Sequence, residues 1–220
     1  MKTLIFVTLL LLNLMAYSQQ SATTDDGKKV LLKADGTWEY LNSPSNKEQP
    51  NIFDFRRANW GMTKDQVKAS ETFQAVESKY PDILIYSGDI SSLEAGVYYI
   101  FVDNKLVRTK YSFFAKHTNK NDYIFDYESI NKSLIEKYGK PKKESEYWLN
   151  NLYKNDYDQR GFAVSLGHLA FYSNWDTAET IITSALTGEN YKISHVIEYS
   201  SKKLSFLEDQ KEKEKAKSEF

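Results

Sequence analysis

Residues 97–114 constrain the fold more than any other segment of this 220-residue chain. Two runs rich in β-branched and aromatic residues, 97–102 and 105–114, are separated only by Asp103 and Asn104. Because Asp and Asn tolerate the positive φ of a tight turn, this pattern predicts a two-residue β-hairpin. Polar and apolar residues alternate along the second run, which indicates that one face of the sheet meets water. An antiparallel sheet is therefore the expected centre of the fold.

Two helices are predicted around this sheet. Thr63 and Gln66 have the spacing of a capping box, so a short helix should begin there. Residues 123–138 carry apolar side chains at helical spacing, and Gly139 followed by Pro141 predicts where this long helix ends. The remaining strand-like runs are 73–78, 83–86, 147–149, 162–166, 168–175, 179–186 and 191–199, with a turn at 187–190.

The same order of helix, strands and hairpin occurs in residues 63–114 and again in 126–199. This order predicts two similar halves that share one continuous sheet. We therefore expect an α+β domain, in which one long and one short helix pack on a mostly antiparallel sheet.

A smaller element precedes this domain. Asp25-Asp26-Gly27 and Asp35-Gly36 are turn signals on either side of a strand-like run, which predicts an N-terminal β-hairpin within residues 19–41. Residues 42–51 contain two prolines and almost no apolar side chain, so they form a predicted linker. The α+β domain should then span residues 52–207, and a charged, helix-prone tail should span 208–220.

The first residues, MKTLIFVTLLLLNLMAYSQ, have the form of a signal peptide. Lys2 supplies the positive start, an apolar run of about a dozen residues follows, and Ala16-Tyr17-Ser18 is a small-x-small cleavage signal. The run is shorter than the roughly 20 residues that span a bilayer, which favours cleavage near Ser18 over a permanent anchor. We expect residues 1–18 to be removed and the product to be periplasmic or secreted, with no stable membrane anchor. In the alternative, the uncleaved segment holds the domain at the inner membrane.

The net charge and the absence of cysteine limit the partners and the anchors that the protein can have. The formal net charge at pH 7 is −1, and loss of Lys2 with the signal peptide would make it one unit more negative. Such a balance argues against a broad nucleic-acid surface and against strong capture by anionic lipid. The chain has no cysteine, so neither a disulfide nor a lipid-modified cysteine is expected, and packing alone must stabilise the fold.

Three segments, WGMTKDQVKASE at 60–71, YGKP at 138–141 and LAFYSNW at 169–175, resemble a family of uncharacterised exported bacterial proteins. The likeness extends over most of the domain and implies no activity. Gly61 to Val67 is also similar, more distantly, to the helix start of SmpA/OmlA-type envelope-assembly lipoproteins, which implies a helix preceding a small sheet. This chain departs from that type in its greater length and in lacking the lipid-bearing cysteine.

Recognisable catalytic and metal motifs are missing. Nucleophile elbows, P-loops and G-x-G-x-x-G turns do not occur, and thiol catalysis is excluded without cysteine. His117, His168 and His195 show no metal-ligand spacing. We therefore predict no catalytic residue, no metal site and no cofactor. A carboxylate pair like that of glycoside hydrolases needs no motif, so it stays open.

An acidic cluster, Asp122, Asp126 and Glu128, lies at the start of the long predicted helix. It has two interpretations. Carboxylates are calcium ligands, but acids near a helix N-terminus also stabilise the helix by about 0.3 to 1 kcal/mol without any ion.

Aromatic side chains are the remaining candidates for binding. On an exposed sheet face they could stack on sugars or line a peptide groove, whereas under the helices they would form the core. Trp38 in the N-terminal hairpin is either a stacking residue or a packing anchor. The candidate binding residues are Trp38, Tyr98, Tyr99, Tyr111 and Trp148.

Two functional hypotheses follow. The first is a non-enzymatic binding or interaction module of the bacterial envelope, with an envelope protein or a glycan as partner. The second is an extracytoplasmic hydrolase that uses an unmarked pair of carboxylates.

Overall fold

The computed structural model describes residues 20–24, 29–33, 36–40 and 53–218. The predicted signal peptide and the predicted linker lie outside the described residues, as do positions 219–220 of the tail. The chain divides into two compact units, 1–52 and 53–220. None of the helices in the described ranges is long and apolar enough to cross a membrane.

The first unit contains a small antiparallel sheet. Its strands are β1 (Gln20–Thr23), β2 (Lys29–Leu32) and β3 (Trp38–Tyr40), in the order β1-β2-β3. The predicted hairpin corresponds to β2 and β3, and Gly36 between them has a φ of 83°. Strand β1, which pairs with β2, is not predicted from the sequence, because it is short and shows no hydrophobic alternation.

The second unit is built on an eight-stranded antiparallel sheet, which confirms the predicted α+β class. The sheet order is β4-β5-β6-β7-β11-β10-β9-β8. The strands are β4 (Gln74–Val76), β5 (Ile83–Ile90), β6 (Leu93–Val102), β7 (Lys105–Phe113), β8 (Lys143–Trp148), β9 (Leu169–Asp176), β10 (Thr180–Glu189) and β11 (Lys192–Ser201). The helices are α1 (Lys64–Ser70), α2 (Asp122–Tyr138), α3 (Arg160–Ser165) and α4 (Phe206–Ser218), with a 3₁₀ turn at Tyr157–Gln159.

The sheet consists of two four-stranded halves joined edge to edge. One helix precedes four strands in each half: α1 before β4 to β7, and α2 before β8 to β11, with α3 inserted between β8 and β9. The halves meet where β7 pairs with β11 over a register that runs from Phe113 opposite His195 to Arg108 opposite Ser200. The chain therefore forms the single continuous sheet that the repeated order of elements predicts.

Three tight turns connect these strands. Asp103 and Asn104 have φ values of 49° and 60°, which confirms the predicted hairpin of β6 and β7. The turn between β10 and β11 lies at Asn190-Tyr191 rather than at 187–190, so β10 continues through the predicted turn. A further turn at 91–92 uses two serines with positive φ, a composition that gives no strong turn signal.

The predicted strand at 162–166 is wrong, because α3 covers most of it. A short apolar run fits a buried helix as well as a strand. Ala163 and Val164 of α3 are fully buried. A methyl group on Gly161 would lie only 2.1 Å from the backbone carbon of Lys120, so the helix sits against the α2 N-terminal loop. The Gly161 amide donates to Oδ1 of Asn121 at 2.6 Å.

One face of the sheet carries the core. Buried side chains of β6, β7 and β11 point to this face, where residues of α1 and α2 pack on them. Phe55 is the centre of the cluster, since its ring lies 4.9 Å from the rings of Tyr111 and Tyr199 and 5.5 Å from that of Tyr99. Trp60, the first residue of the segment 60–71, is partly buried against this cluster, and its Nε1 donates to Oγ1 of Thr180 at 2.9 Å.

A buried ion pair fastens the end of α1 to this core. The Arg56 guanidinium binds both carboxylate oxygens of Glu71, at 2.9 and 3.0 Å. The hydroxyl of Tyr99 also donates to Glu71, whose side chain is 2% exposed. These hydrogen bonds outweigh burial and lower the pKa of Glu71, while burial raises the pKa of Tyr99 well above its usual value.

The opposite face is more polar. Tyr98, Lys110 and Glu198 lie side by side across β6, β7 and β11 and are partly exposed. Helix α4 contacts β6, and its first turns are held by ion pairs from Glu208 to Arg108 at 2.9 Å and from Lys211 to Asp82 at 2.7 Å. The predicted charged tail is thus helical, with a fastened beginning and an exposed end.

Candidate functional site

The sequence-predicted aromatic residues do not form one surface. Tyr99 and Tyr111 are 1% and 8% exposed and belong to the core, because α1 and the Phe55 segment cover their face of the sheet. Burial raises the pKa of Tyr111 to about 12, although the nearby Arg56 charge acts in the opposite direction. These two side chains are therefore out of reach of a ligand.

Tyr98 lies on the opposite face of β6. A methyl group on Gly96 would come within 3.0 Å of the rings of Tyr98 and Phe114, so the bare glycine makes room for both rings against the sheet. The Lys110 ammonium lies 5.9 Å from the centre of the Tyr98 ring. Trp38 belongs to the first unit and is 54% exposed.

Trp148 lies next to a cavity. Its indole Nε1 donates to Oε1 of Glu146 at 2.7 Å, and Glu146 borders a cleft between α2 and the edge strands β8 and β9. The cleft has a volume of about 390 Å³, within the range of roughly 300 to 1,000 Å³ that is typical of ligand sites. It is lined by Tyr127, Glu128, Asn131, Lys132, Ile135, Glu144, Ser145, Glu146, Phe171, Tyr172 and Ser173.

The topology explains why a cleft forms here. Helix α2 turns Ile124, Tyr127, Ile130 and Leu134 inward and contacts β10 and β11, so the edge strand β8 remains uncovered. In the β8–β9 register, Glu144 lies opposite Ser173 and Glu146 opposite Phe171, so these carboxylates and α2 occupy the same face. The space between helix and edge strand is the cleft.

The floor of the cleft is polar and buried. Tyr127 Oη and Ser173 Oγ are 2.9 Å apart, and Asn131 Nδ2 donates to Ser173 Oγ at 3.1 Å. Asn131 is 7% exposed, and its Oδ1 has no hydrogen-bond partner within the described chain. Burial raises the pKa of Tyr127, and the charge of Glu144 adds to this effect. A buried acceptor without a partner costs about 1 to 3 kcal/mol, so this atom is a place for a ligand donor.

One end of the cleft is closed by an ion pair. Arg160 of α3 binds Glu146 with nitrogen-oxygen distances of 2.7 and 3.2 Å. Its guanidinium also lies 5.4 Å from the centre of the Phe171 ring. The hydrogen bonds from Arg160 lower the pKa of Glu146. A smaller cavity of about 180 Å³ borders Arg160 and Glu128 on another side and is lined by Asn121, Ile124, Phe125, Glu128, Tyr157 and Arg160.

The other carboxylates of the cleft are free to bind. Across the ranges that the structure describes, the side chains of Glu128 and Glu144 make no hydrogen bond or ion pair, and neither does that of Lys132, one helical turn after Glu128. Side chains of this kind can hold a charged or hydroxylated ligand above the polar floor.

The acidic cluster at the start of α2 separates in the structure. Asp126 lies 2.6 Å from Nε2 of His117, whereas Glu128 points into the cleft, as expected for helix positions two residues apart. No group of three or more potential metal ligands occurs in the described part of the chain. Asn131, Glu144 and Ser173 are not among the residues predicted from the sequence. The alternation of Glu144, Glu146 and Trp148 on one face of a strand is the signal that could have pointed to this site.

Comparison of the chain with protein-family models, curated proteins and solved structures finds no match. The resemblance to uncharacterised exported proteins stays a prediction from the sequence.

Proposed function

We propose that this protein is a non-enzymatic binding module of the bacterial envelope and that the α2–β8 cleft is its ligand site. The unpartnered Oδ1 of Asn131 on the floor of the cleft carries the proposal. Ligand sites combine apolar walls with a few placed polar groups that fix orientation. Here Phe171 and Ile135 supply apolar walls, and the floor supplies the polar groups.

The chemistry of the cleft favours binding over catalysis. Ser173 Oγ contacts Tyr127 and Asn131 and has no histidine or other base as partner, so it is not an activated nucleophile. Glu146 has a lowered pKa, the opposite of what a general acid needs near neutral pH. Glu128 and Glu144 line the same cleft, and for this reason a hydrolase that uses a carboxylate pair is the second candidate.

The envelope location rests on residues 1–18, which have the pattern of a signal peptide. Mass spectrometry of the N-terminus of the protein purified from its native host tests this part. A mature protein that begins near Gln19 supports export, and an intact Met1 contradicts cleavage.

The site itself can be tested by NMR. We would titrate the ¹⁵N-labelled domain with a fragment library that contains neutral, anionic and cationic compounds. Binders should shift amide signals of Tyr127, Asn131 and Ser173, and Asn131→Leu should weaken their binding. The matched control is Asn174→Leu, because Asn174 lies on β9 but bonds Thr183 outside the cleft.

Two results would contradict the proposal. Binding that maps only to another surface, or that Asn131→Leu and Asn174→Leu weaken equally, would remove the cleft as the site. Turnover of a glycan or ester substrate that disappears in Glu128→Gln or Glu144→Gln would show that the protein is a hydrolase instead.

A further inference from the structure

We infer that the α2–β8 cleft is specific for an organic cation, an amine or guanidinium group carried on an apolar or aromatic-compatible body. This inference rests on the proposed function and names the chemistry of its ligand. Three independent features of the cleft lead to it: the hydrogen-bonding character of its free groups, its aromatic walls, and a guanidinium that the protein itself places at one end.

The free polar groups of the cleft are mainly acceptors. Oδ1 of Asn131 and the carboxylates of Glu128 and Glu144 accept hydrogen bonds, and none of them has a partner within the described residues. On the donor side, one N–H of the Asn131 amide is bound to Ser173, and one of the Tyr127 and Ser173 hydroxyls donates to the other. A ligand that satisfies this site must therefore bring donors and carry positive charge to match the two carboxylates.

Aromatic rings form the walls beside these acceptors. The rings of Tyr127 and Phe171 line the cleft and lie 5.7 Å apart. Cations bind ring faces within about 6 Å, and the attraction strengthens as water is excluded. The combination of carboxylates and rings thus selects an organic cation over a strongly hydrated inorganic one.

Arg160 shows that such a group fits here. Its guanidinium binds the Glu146 carboxylate and lies 5.4 Å from the centre of the Phe171 ring and 5.9 Å from that of Trp148. Two residues earlier on the same face of β8, Glu144 lies opposite Ser173 beside Tyr127. The arrangement of carboxylate and ring is therefore repeated, and at Glu144 the cation is missing from the described chain.

Lys132 provides a second test of the inference, because it is a cation of the chain itself that lines the same cleft as Glu128 and Glu144. It follows Glu128 by one helical turn on α2 and lines the cleft. Its ammonium repels a cationic ligand, so removal of this charge should strengthen binding. Removal of a carboxylate charge should weaken binding. For the same ligand, neutralising Lys132 and neutralising a carboxylate should therefore change the affinity in opposite directions.

The probe is agmatine, which carries a guanidinium and an amine, and isothermal titration at 20 mM NaCl measures its affinity. We expect Glu144→Gln to weaken binding by at least about tenfold, as for loss of one charged hydrogen bond, and Lys132→Gln to strengthen it about threefold. The matched control is Glu136→Gln, which removes an exposed carboxylate of α2 outside the cleft and should leave the affinity unchanged. Binding should also weaken at 500 mM NaCl.

Two further comparisons show whether the cation belongs to a peptide or to a free small molecule, and which results would contradict the inference. The first comparison uses an extended peptide with a central arginine. If this peptide binds at least tenfold tighter than agmatine and shifts the β8 amide signals, the natural ligand is a peptide side chain. If the peptide and agmatine bind with equal affinity, the ligand is a free small cation. If N-butylacetamide or succinate binds in the cleft as tightly as agmatine, or if Glu144→Gln has no effect, the cation inference is wrong while the binding function stands. If no compound binds in the cleft, both fail.

Discussion

His195 should make the stability of the domain depend on pH. It lies on β11, is 4% exposed, and stacks on the Phe113 ring with centroids 4.5 Å apart. Its Nε2 has no partner among the described residues, and the Tyr127 ring lies 5.6 Å away. Burial without a counter-charge lowers the pKa of His195 from 6.5 to about 4.

The sign and the size of this pH dependence follow from proton linkage. Between pH 6.5 and about 4 the unfolded chain binds a proton that the folded chain excludes, so stability falls as the pH falls. With these two pKa values, the free energy of unfolding should decrease by about 2 kcal/mol between pH 7 and pH 5. Glu71 and Glu146, whose pKa values are lowered, lose their contributions only at more acidic pH.

Urea denaturation at pH 5, 6 and 7 measures this slope. His195→Phe keeps the stack on Phe113 and should remove most of the decrease; His195→Leu gives the same test if the larger ring does not fit. The matched control is His168→Phe, because His168 also stacks on an aromatic ring, that of Tyr153 at 6.0 Å, but is partly exposed. A wild-type slope that persists in both His195 variants would refute the reasoning.

Four substitutions test the packing, each by urea denaturation at pH 7. Glu71→Gln leaves the buried Arg56 without its counter-charge and should cost about 3 to 5 kcal/mol; a loss below about 1 kcal/mol would mean that the pair is effectively solvated. Gly161→Ala should cost about 2 to 3 kcal/mol because its methyl group meets backbone atoms. Gly139→Ala should cost about 1 to 3 kcal/mol for a different reason: its methyl group would meet open space, but its φ of 78° and ψ of −172° form a backbone conformation that essentially only glycine adopts. Trp60→Phe loses the indole hydrogen bond to β10 and should cost about 1 kcal/mol, and a neutral result would show that water replaces it.

Local chemistry was the part of the fold that the sequence could predict. The capping box at Thr63 and Gln66 forms both of its reciprocal hydrogen bonds, because its residues lie within one turn of chain. The same holds for the turn at Asp103 and the end of α2 at Gly139, which has a φ of 78°. In each case a few neighbouring residues determine the backbone without help from the rest of the molecule.

The features that the sequence could not predict depend on distant partners. Helix α3 forms where its apolar side chains and Gly161 meet the α2 loop, a contact between segments forty residues apart. Adjacent residues of a strand point to opposite faces of the sheet, so Tyr98 and Tyr99 lie on different faces. Which of the two is buried depends on the face that the helices cover. The cleft joins α2 with β8 and β9, and no local pattern marks that juxtaposition.

The junction of β7 and β11 has a consequence for how the domain folds. Every other ladder of the eight-stranded sheet joins strands that follow one another in the chain, whereas this one pairs Phe113 with His195. Local ladders close small loops and form quickly; this junction must wait for a large loop to close. Until it does, each half presents a long unpaired edge, and at high concentration the corresponding edge of another molecule competes for it. Exchange of halves between two chains is therefore the misassembly to expect when the protein refolds at high concentration.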